Sequence, residues 1–280
     1  MRHYGSPPSP SGGPAGGWSA RRDAVVREEP LQLRLERTDG DLPLVTTMRT
    51  PGADFELAAG FLLAEGIVTR RDEILEMRYC RDVPAAERYN VLRLRLAASA
   101  RVPDRDHLHH FTATAACGVC GKGQIASLVE RGCAPLADEV RVPASLLAAL
   151  PGRLRGQQPL FERTGALHAA GLFGPDGALL AAREDVGRHN ALDKLFGWAL
   201  LDGRLPLAGA IVFVSGRAGY ELAQKCVVAG VAVFGAISAP SSLAIDVARE
   251  FGITLAAFVR EGRVSVYAGA ERVIDDLGRG

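Results

Sequence analysis

Apolar and polar positions alternate, or recur at helical spacing, along most of the chain. Leu31, Leu33 and Leu35 alternate with Gln32 and Arg34, the period-two signature of a half-buried strand. A turn at Thr38-Asp39-Gly40-Asp41 leads into a second extended run from Leu42 to Met48, so the pattern predicts a hairpin. Pro51-Gly52 then breaks the chain, and Asp54 and Glu56 fall where a helix N-terminus favours acids. Phe55, Leu57, Ala58, Phe61 and Leu62 form one apolar stripe ahead of Gly66. Alternation returns from Tyr89 to Leu96, which makes this part a small α+β unit. A Thr-rich extended run, Phe111 to Ala116, precedes a helical pattern from Gln124 to Arg131.

The second half changes style. Continuous apolar runs at 178–183, 209–214, 231–237 and 253–259 alternate with helical patterns at 190–201, 219–229 and 242–251. Strands separated by helices of that length imply an α/β domain with a mostly parallel sheet covered on both faces. The first twenty residues are rich in Gly, Pro and Ser, a composition too poor in apolar surface to offset the entropy of ordering. The expected division is therefore a disordered tail over 1–20, a small N-terminal α+β domain over 21–110 and an α/β domain over 111–280.

Charge and composition then exclude several roles. With 33 basic and 32 acidic residues the net charge is +1, which gives no global field to gather nucleic acid or an anionic membrane. No stretch reaches the roughly 18 apolar residues of a membrane span, and the first twenty residues lack the apolar core of a secretory signal. The expected location is the cytoplasm, where the five cysteines Cys80, Cys117, Cys120, Cys133 and Cys226 stay reduced.

In that setting Cys117-Gly118-Val119-Cys120 reads as metal-binding or catalytic. Gly118, Gly121 and Gly123 give the loop backbone freedom, which suits a thiol that travels better than a rigid zinc corner. Lys122 and the start of the following helix stabilise a thiolate. A zinc site would need two more ligands, from Cys80, Cys133 or the cluster His107, His109 and His110, and no second CxxC supplies them, so no resident metal is expected. Disulfide exchange stays open. Cys80, Cys133 and Cys226 are expected to pack as small apolar side chains.

A second site is expected where the strands end. In an open α/β sheet, ligands bind beyond the carboxyl ends of the strands. Those positions hold Glu184, Asp185, Gly187, Arg188, His189 and Asn190; Ser215, Gly216, Arg217 and Gly219; Ser238, Pro240, Ser241 and Ser242; and Arg260 with Arg263. Glycines, hydroxyls and arginines together make an environment for a phosphorylated ligand. Blander readings stand beside this one. Ser241 or Ser242 serves as a helix cap, Asp185, Arg188, Asp193 and Lys194 form a solvated cluster, and His168 is a hydrogen-bonded core histidine.

The segments Ala116 to Gly121, TGALHAAGLF (164–173), REDVGRHNALDKL (183–195), SGRAGYELAQK (215–225), SAPSSLAID (238–246) and FVREGRVSVY (258–267) resemble the FdhD family of formate dehydrogenase accessory factors, as does MRTPGADFELAAGFLLAEGIV (48–68). Gly219, where the family pattern has Ser, and Cys226, where it has a small apolar residue, depart from it. The resemblance implies a three-layer, cytidine-deaminase-like α/β/α domain after a small α+β domain. It implies a sulfurtransferase that carries sulfur from a cysteine desulfurase to the molybdenum bis(molybdopterin guanine dinucleotide) cofactor (bis-MGD) of formate dehydrogenase. Cys117 matches the persulfide-bearing cysteine and Cys120 its partner; Phe258, Val259, Arg260, Glu261, Gly262 and Arg263 match the segment that holds the cofactor. Ser215, Gly216, Arg217 and His168 join them as cofactor-binding candidates, with the GDP-like arm as the moiety held. The alternative is a zinc-dependent deaminase-like hydrolase or a zinc-stabilised binding module. The deaminase motif pairs HxE with a later PCxxC, whereas here the CxxC comes first and His168-Ala169-Ala170 lacks the Glu. A homodimer is compatible with these residues and is not required by them.

Overall fold

The computed structural model describes residues 2–3, 19–20, 23–38, 40–102, 121–137 and 139–277. Two short strands, β1 (Arg2–His3) and β2 (Ser19–Ala20), pair antiparallel. They are the described part of the expected tail; its remaining residues, like the Thr-rich run 111–116, lie outside the described ones.

β3 (Glu29–Leu35) and β4 (Leu42–Arg49) form the expected hairpin, and β5 (Ile74–Tyr79) and β6 (Val91–Leu96) complete a four-stranded sheet in the order β4-β3-β6-β5. Leu31, Leu33 and Leu35 are all buried, as strict alternation requires of one sheet face. That face packs on α1 (Asp54–Ala64). The helix is buried more fully than a single stripe allows: Leu57, Ala58, Ala59, Gly60, Leu62, Leu63 and Ala64 are all buried. Phe55, expected on the apolar face, instead turns outward against Tyr79, the ring centroids 5.3 Å apart.

The second half is built on one six-stranded sheet. Its strands are β8 (His168–Phe173), β9 (Leu179–Asp185), β10 (Ile211–Val214), β11 (Val233–Ala236), β12 (Thr254–Arg260) and β13 (Arg263–Ala268), in the order β13-β12-β11-β10-β8-β9. β10, β11 and β12 pair in parallel, while β8–β9, β8–β10 and β12–β13 pair antiparallel. Strands β9, β10, β11 and β12 therefore run one way and β8 and β13 the other, so the sheet is mixed and mostly parallel.

Helices cover both faces. α3 (Ala144–Arg155) sets Leu147, Leu150 and Leu154 against Phe173, Phe213 and Val233. On the opposite face α5 (Arg188–Leu201), α6 (Tyr220–Ala229) and α7 (Ser242–Glu250) pack on Val212, Val214 and Phe234. This is the three-layer arrangement expected. α2 (Gly121–Glu130) buries Leu128 in the same core, and α4 (Pro159–Thr164) precedes β8. β7 (Val142–Pro143) and β14 (Val273–Ile274) add a short parallel ladder.

The two halves share a core: Leu31, Leu57, Leu192 and Phe234 belong to one continuous apolar cluster. α1 crosses α5 so closely that a Cβ on Gly60 would overlap the Asp193 carbonyl, and one on Gly197 would overlap that of Glu56. Only glycine fits at either place, so backbone meets backbone here.

Candidate functional site

The strand directions decide what meets at one edge of the large sheet. The carboxyl ends of β9, β10, β11 and β12 and the first residues of β8 and β13 all lie there. Sequence positions far apart are then stitched side by side. Ser215 N–H donates to the Ala169 carbonyl at 3.0 Å, and Ala169 N–H donates to Ser215 Oγ at 2.9 Å, which fixes the end of β10 beside His168. Ser238 N–H donates to the Gly216 carbonyl, and Phe258 N–H to the Ser238 carbonyl, both at 3.2 Å. The candidates His168, Ser215, Gly216, Arg217 and Phe258 to Arg263 are thus brought together.

Within this edge a cavity of about 440 Å³ opens between α4 and the strand ends, lined among others by Gln158, Phe161, Leu167, His168, Ser215 and Ile237. Arg260 donates to the Ile237 carbonyl and, at 2.8 Å, to that of Val259, which ties the Phe258 to Arg263 segment to the cavity wall. Arg217 and Arg263 are exposed and have no bonded partner among the described residues. Phe258 is exposed and takes a left-handed backbone, φ 50°, next to a register shift between Ala257 and Arg260. A bulky residue in that region is strained, and such strain concentrates at ligand sites. Burial, then the charges of Arg188 and His189, lower the His168 pKa against the opposing pull of Asp185, so the imidazole is neutral at neutral pH. It is half-buried rather than a core histidine.

Other strand-end residues are committed to structure. Glu184 accepts from the Leu160 and Phe161 amides at 3.0 and 2.8 Å and so holds the start of α4. Ser241 Oγ accepts from Ala244 N–H at 3.2 Å and caps α7, as the bland reading had it. The solvated reading of Asp185, Asp193 and Lys194 is corrected, because all three are buried. Asp185 pairs with Lys194 at 2.7 Å and accepts from Thr50 N–H at 3.1 Å. Lys194 also donates to the Thr50 carbonyl at 2.8 Å, and Asn190 donates to the Met48 carbonyl at 2.7 Å. Asp193 pairs with Lys225 at 2.6 Å, and Arg183 grips Glu56 with two bonds of 2.5 and 2.7 Å. The bonds from Met48, Thr50 and Glu56 to Asn190, Asp185, Lys194 and Arg183 form a latch between the halves of the molecule. Arg188, at the first turn of α5, stays half-exposed.

His189 Nε2 lies 3.4 Å from Glu221 Oε2 without meeting hydrogen-bond geometry. We read it as an electrostatic contact, and it is the largest influence in lowering Glu221 to about 2. Cys80 and Cys226 are buried as expected and Cys133 is partly exposed. Burial raises the Cys226 thiol far above its usual range and so keeps it inert. Cys117 and Cys120 lie outside the described residues; α2 begins at Gly121, directly after them in the chain. Among the described residues no group of three or more His, Cys, Asp or Glu is placed to hold a metal ion, and no helix is long and apolar enough to cross a membrane. The sequence reading missed Gln158 and Phe161 altogether, although Pro159, a favoured first helical residue, marks the start of the helix that Gln158 precedes and that carries Phe161.

Residues 26–274 match the FdhD/NarQ family. The curated sulfur carrier protein FdhD of Mycolicibacterium paratuberculosis is 49% identical over 263 residues, 92% of this chain and 95% of its own. That of Streptomyces coelicolor is 49% identical over 262 residues, 92% of each chain, and that of Anaeromyxobacter dehalogenans 50% over 264 residues, 91% of this chain and 90% of its own. A solved structure described as a formate dehydrogenase accessory protein of Desulfotalea psychrophila has the same fold, with a TM-score of 0.70 at 24% identity over 98% of this chain and 99% of that one. Since the matched residues include the whole strand-end edge, the chain belongs to the FdhD/NarQ family.

Proposed function

We propose that the protein is a cytoplasmic sulfurtransferase, a carrier that takes sulfur from a cysteine desulfurase and delivers it to bis-MGD for formate dehydrogenase. The observation that carries this reading is the strand-end edge, where Arg217 and Arg263, exposed and without a bonded partner among the described residues, share the strand ends with a cavity lined by neutral His168 and Ser215. Guanidiniums free of internal partners are suited to the phosphates of a nucleotide arm. The names of the relatives, sulfur carrier protein FdhD, support the sulfur chemistry.

The chemistry proceeds in two displacements. The Cys117 thiolate attacks the outer sulfur of the desulfurase persulfide; the S–S bond breaks, the desulfurase leaves as a thiolate, and Cys117 holds the persulfide. The Cys120 thiolate then attacks the inner sulfur, a Cys117–Cys120 disulfide forms, and hydrosulfide leaves for the cofactor metal. A cellular dithiol reduces the disulfide to restore the pair.

Intact-mass spectrometry after incubation with a desulfurase and cysteine tests the first step. The wild type is expected to gain the mass of one sulfur, and Cys117→Ser to gain none and fail to activate formate dehydrogenase. Full activation by Cys117→Ser would remove the assignment. Cys120→Ser is expected to load sulfur and release it poorly.

A further inference from the structure

A second cavity, of about 460 Å³, lies against the other face of α4. Leu160, Arg163 and Thr164, spaced as one helical stripe, line it, whereas Phe161 lines the cavity beside His168. Its other walls include Val25 and Val26 from the chain ahead of β3, and Pro51 after β4. Val25 is 82% exposed and Leu160 40%, so two of the large apolar side chains that this protein leaves to solvent share one cavity. Among the described residues no carboxylate lines it. Arg27 pairs with Glu29 at 2.5 Å, while Arg163 is exposed and has no bonded partner among the described residues.

The course of the chain says what covers these walls. Ala24 is itself part of the wall, and the chain ahead of it is rich in Gly, Pro and Ser, with Trp18 as its one large apolar ring besides Tyr4. Trp18 stands six positions before Ala24, and six residues span at most about 20 Å. The ring therefore reaches any part of a cavity that begins at Ala24. So short a tether holds it at a high effective concentration, against which a second copy or a free peptide competes poorly. We propose that the cavity behind α4 seats the Trp18 indole of the same chain. The ring covers Val25 and Leu160, and Arg163 supplies a cation for its face. Thr50 Oγ1, which accepts from Val186 N–H at 3.1 Å, keeps a lone pair for the indole N–H. α4 buries none of its own residues and is held at its start by Glu184, so the seated ring braces from behind the helix that walls the strand-end cavity.

The indole is its own reporter. In the full-length Trp198→Phe chain Trp18 is the one tryptophan left. Its emission is expected to be blue-shifted, with an acrylamide quenching constant several-fold below that of N-acetyltryptophanamide. Val25→Asp and Leu160→Asp, both at exposed positions, are expected to shift the emission to the red and raise quenching to the level of the free compound. Quenching at that level before either change, or protection that survives both, overturns the proposal. Protection that is lost on dilution gives the seat to another molecule's tail and overturns it as well. Should Trp198→Phe fail to fold, the wild-type chain carrying 5-fluorotryptophan decides: the fluorine NMR signal missing from Trp18→Phe moves in Val25→Asp if the ring is seated, and a fixed signal overturns the assignment. Hydrogen exchange over α4 is expected to be several-fold faster in Trp18→Gly than in the wild type, and equal rates would remove the brace.

Discussion

Two charged regions lie close together in this molecule and behave in opposite ways. Around the latch between the halves, Asp185 and Lys194, Asp193 and Lys225, and Arg49 and Asp54 form buried pairs at 2.6 to 2.8 Å, each within one half. At the strand-end edge, Arg217 and Arg263 reach outward and pair with nothing among the described residues. Both regions read alike in sequence, as Gly, Asp and Arg next to helix starts. A charge that finds its counter-charge within the chain serves the fold, and one that does not is available to a ligand.

The sharpest way to break that comparison is Lys194→Met. It leaves the fully buried Asp185 carboxylate without its ion partner and is expected to destabilise by about 3 to 5 kcal/mol in urea denaturation. Replacing both partners, Asp185→Leu with Lys194→Met, is expected to recover only part of that loss, since the pair itself is near equal to an apolar one but the Thr50, Gly187 and Asn190 donors lose their acceptor. A Lys194→Met loss below about 1 kcal/mol would show that the latch is no more than a surface cluster.

The arginine edge should answer in the other currency. Arg217→Ala or Arg263→Ala is expected to weaken GDP about 10- to 150-fold by calorimetry, which corresponds to one charged hydrogen bond of about 1.5 to 3 kcal/mol. Stability should move by no more than about 0.5 kcal/mol, as for other exposed substitutions. If the arginines instead block persulfide loading on Cys117, that surface is the desulfurase dock.

The smallest effect belongs to Glu221, which stands between the two classes, partly exposed and facing His189. Its carboxyl is lowered from 4.5 to about 2 in the folded protein, so the stability it contributes is present above pH 4.5 and is lost as pH falls toward 2. The expected outcome is a modest gap between wild type and Glu221→Gln at pH 6, below about 1 kcal/mol, that narrows at pH 3 and closes as pH falls to about 2 in parallel denaturation curves. A gap that widens in acid would reverse the assignment.

The hairpin of β3 and β4, α1, and the alternation from β10 to β12 were legible because one period dominates each segment. β8 and α3 were not. The run Ala169 to Phe173 is apolar throughout and includes Gly171, so it carries no alternation, and α3 contains Pro151 and Gly152, residues that usually end a helix. The strand-end convergence followed from general rules for α/β sheets, and the expectation for Phe258 to Arg263 came from the family motif. The latch could not be read, because it joins Thr50 to Lys194 and Glu56 to Arg183 across more than a hundred residues, and no local pattern marks such pairs.

The glycine crossing of α1 and α5 also governs how this protein can be taken apart. α5 is buried nearly all round, by the sheet beneath and by α1 above, so a chain started after the first hundred residues would lay bare a band of leucine, alanine and phenylalanine. An exposed patch of that kind drives aggregation. The α/β half would then come out of a cell as insoluble material, and a chimaera that borrowed its first half from a distant relative would need glycine at both crossing points before anything else about it mattered. The two halves are inherited as one part.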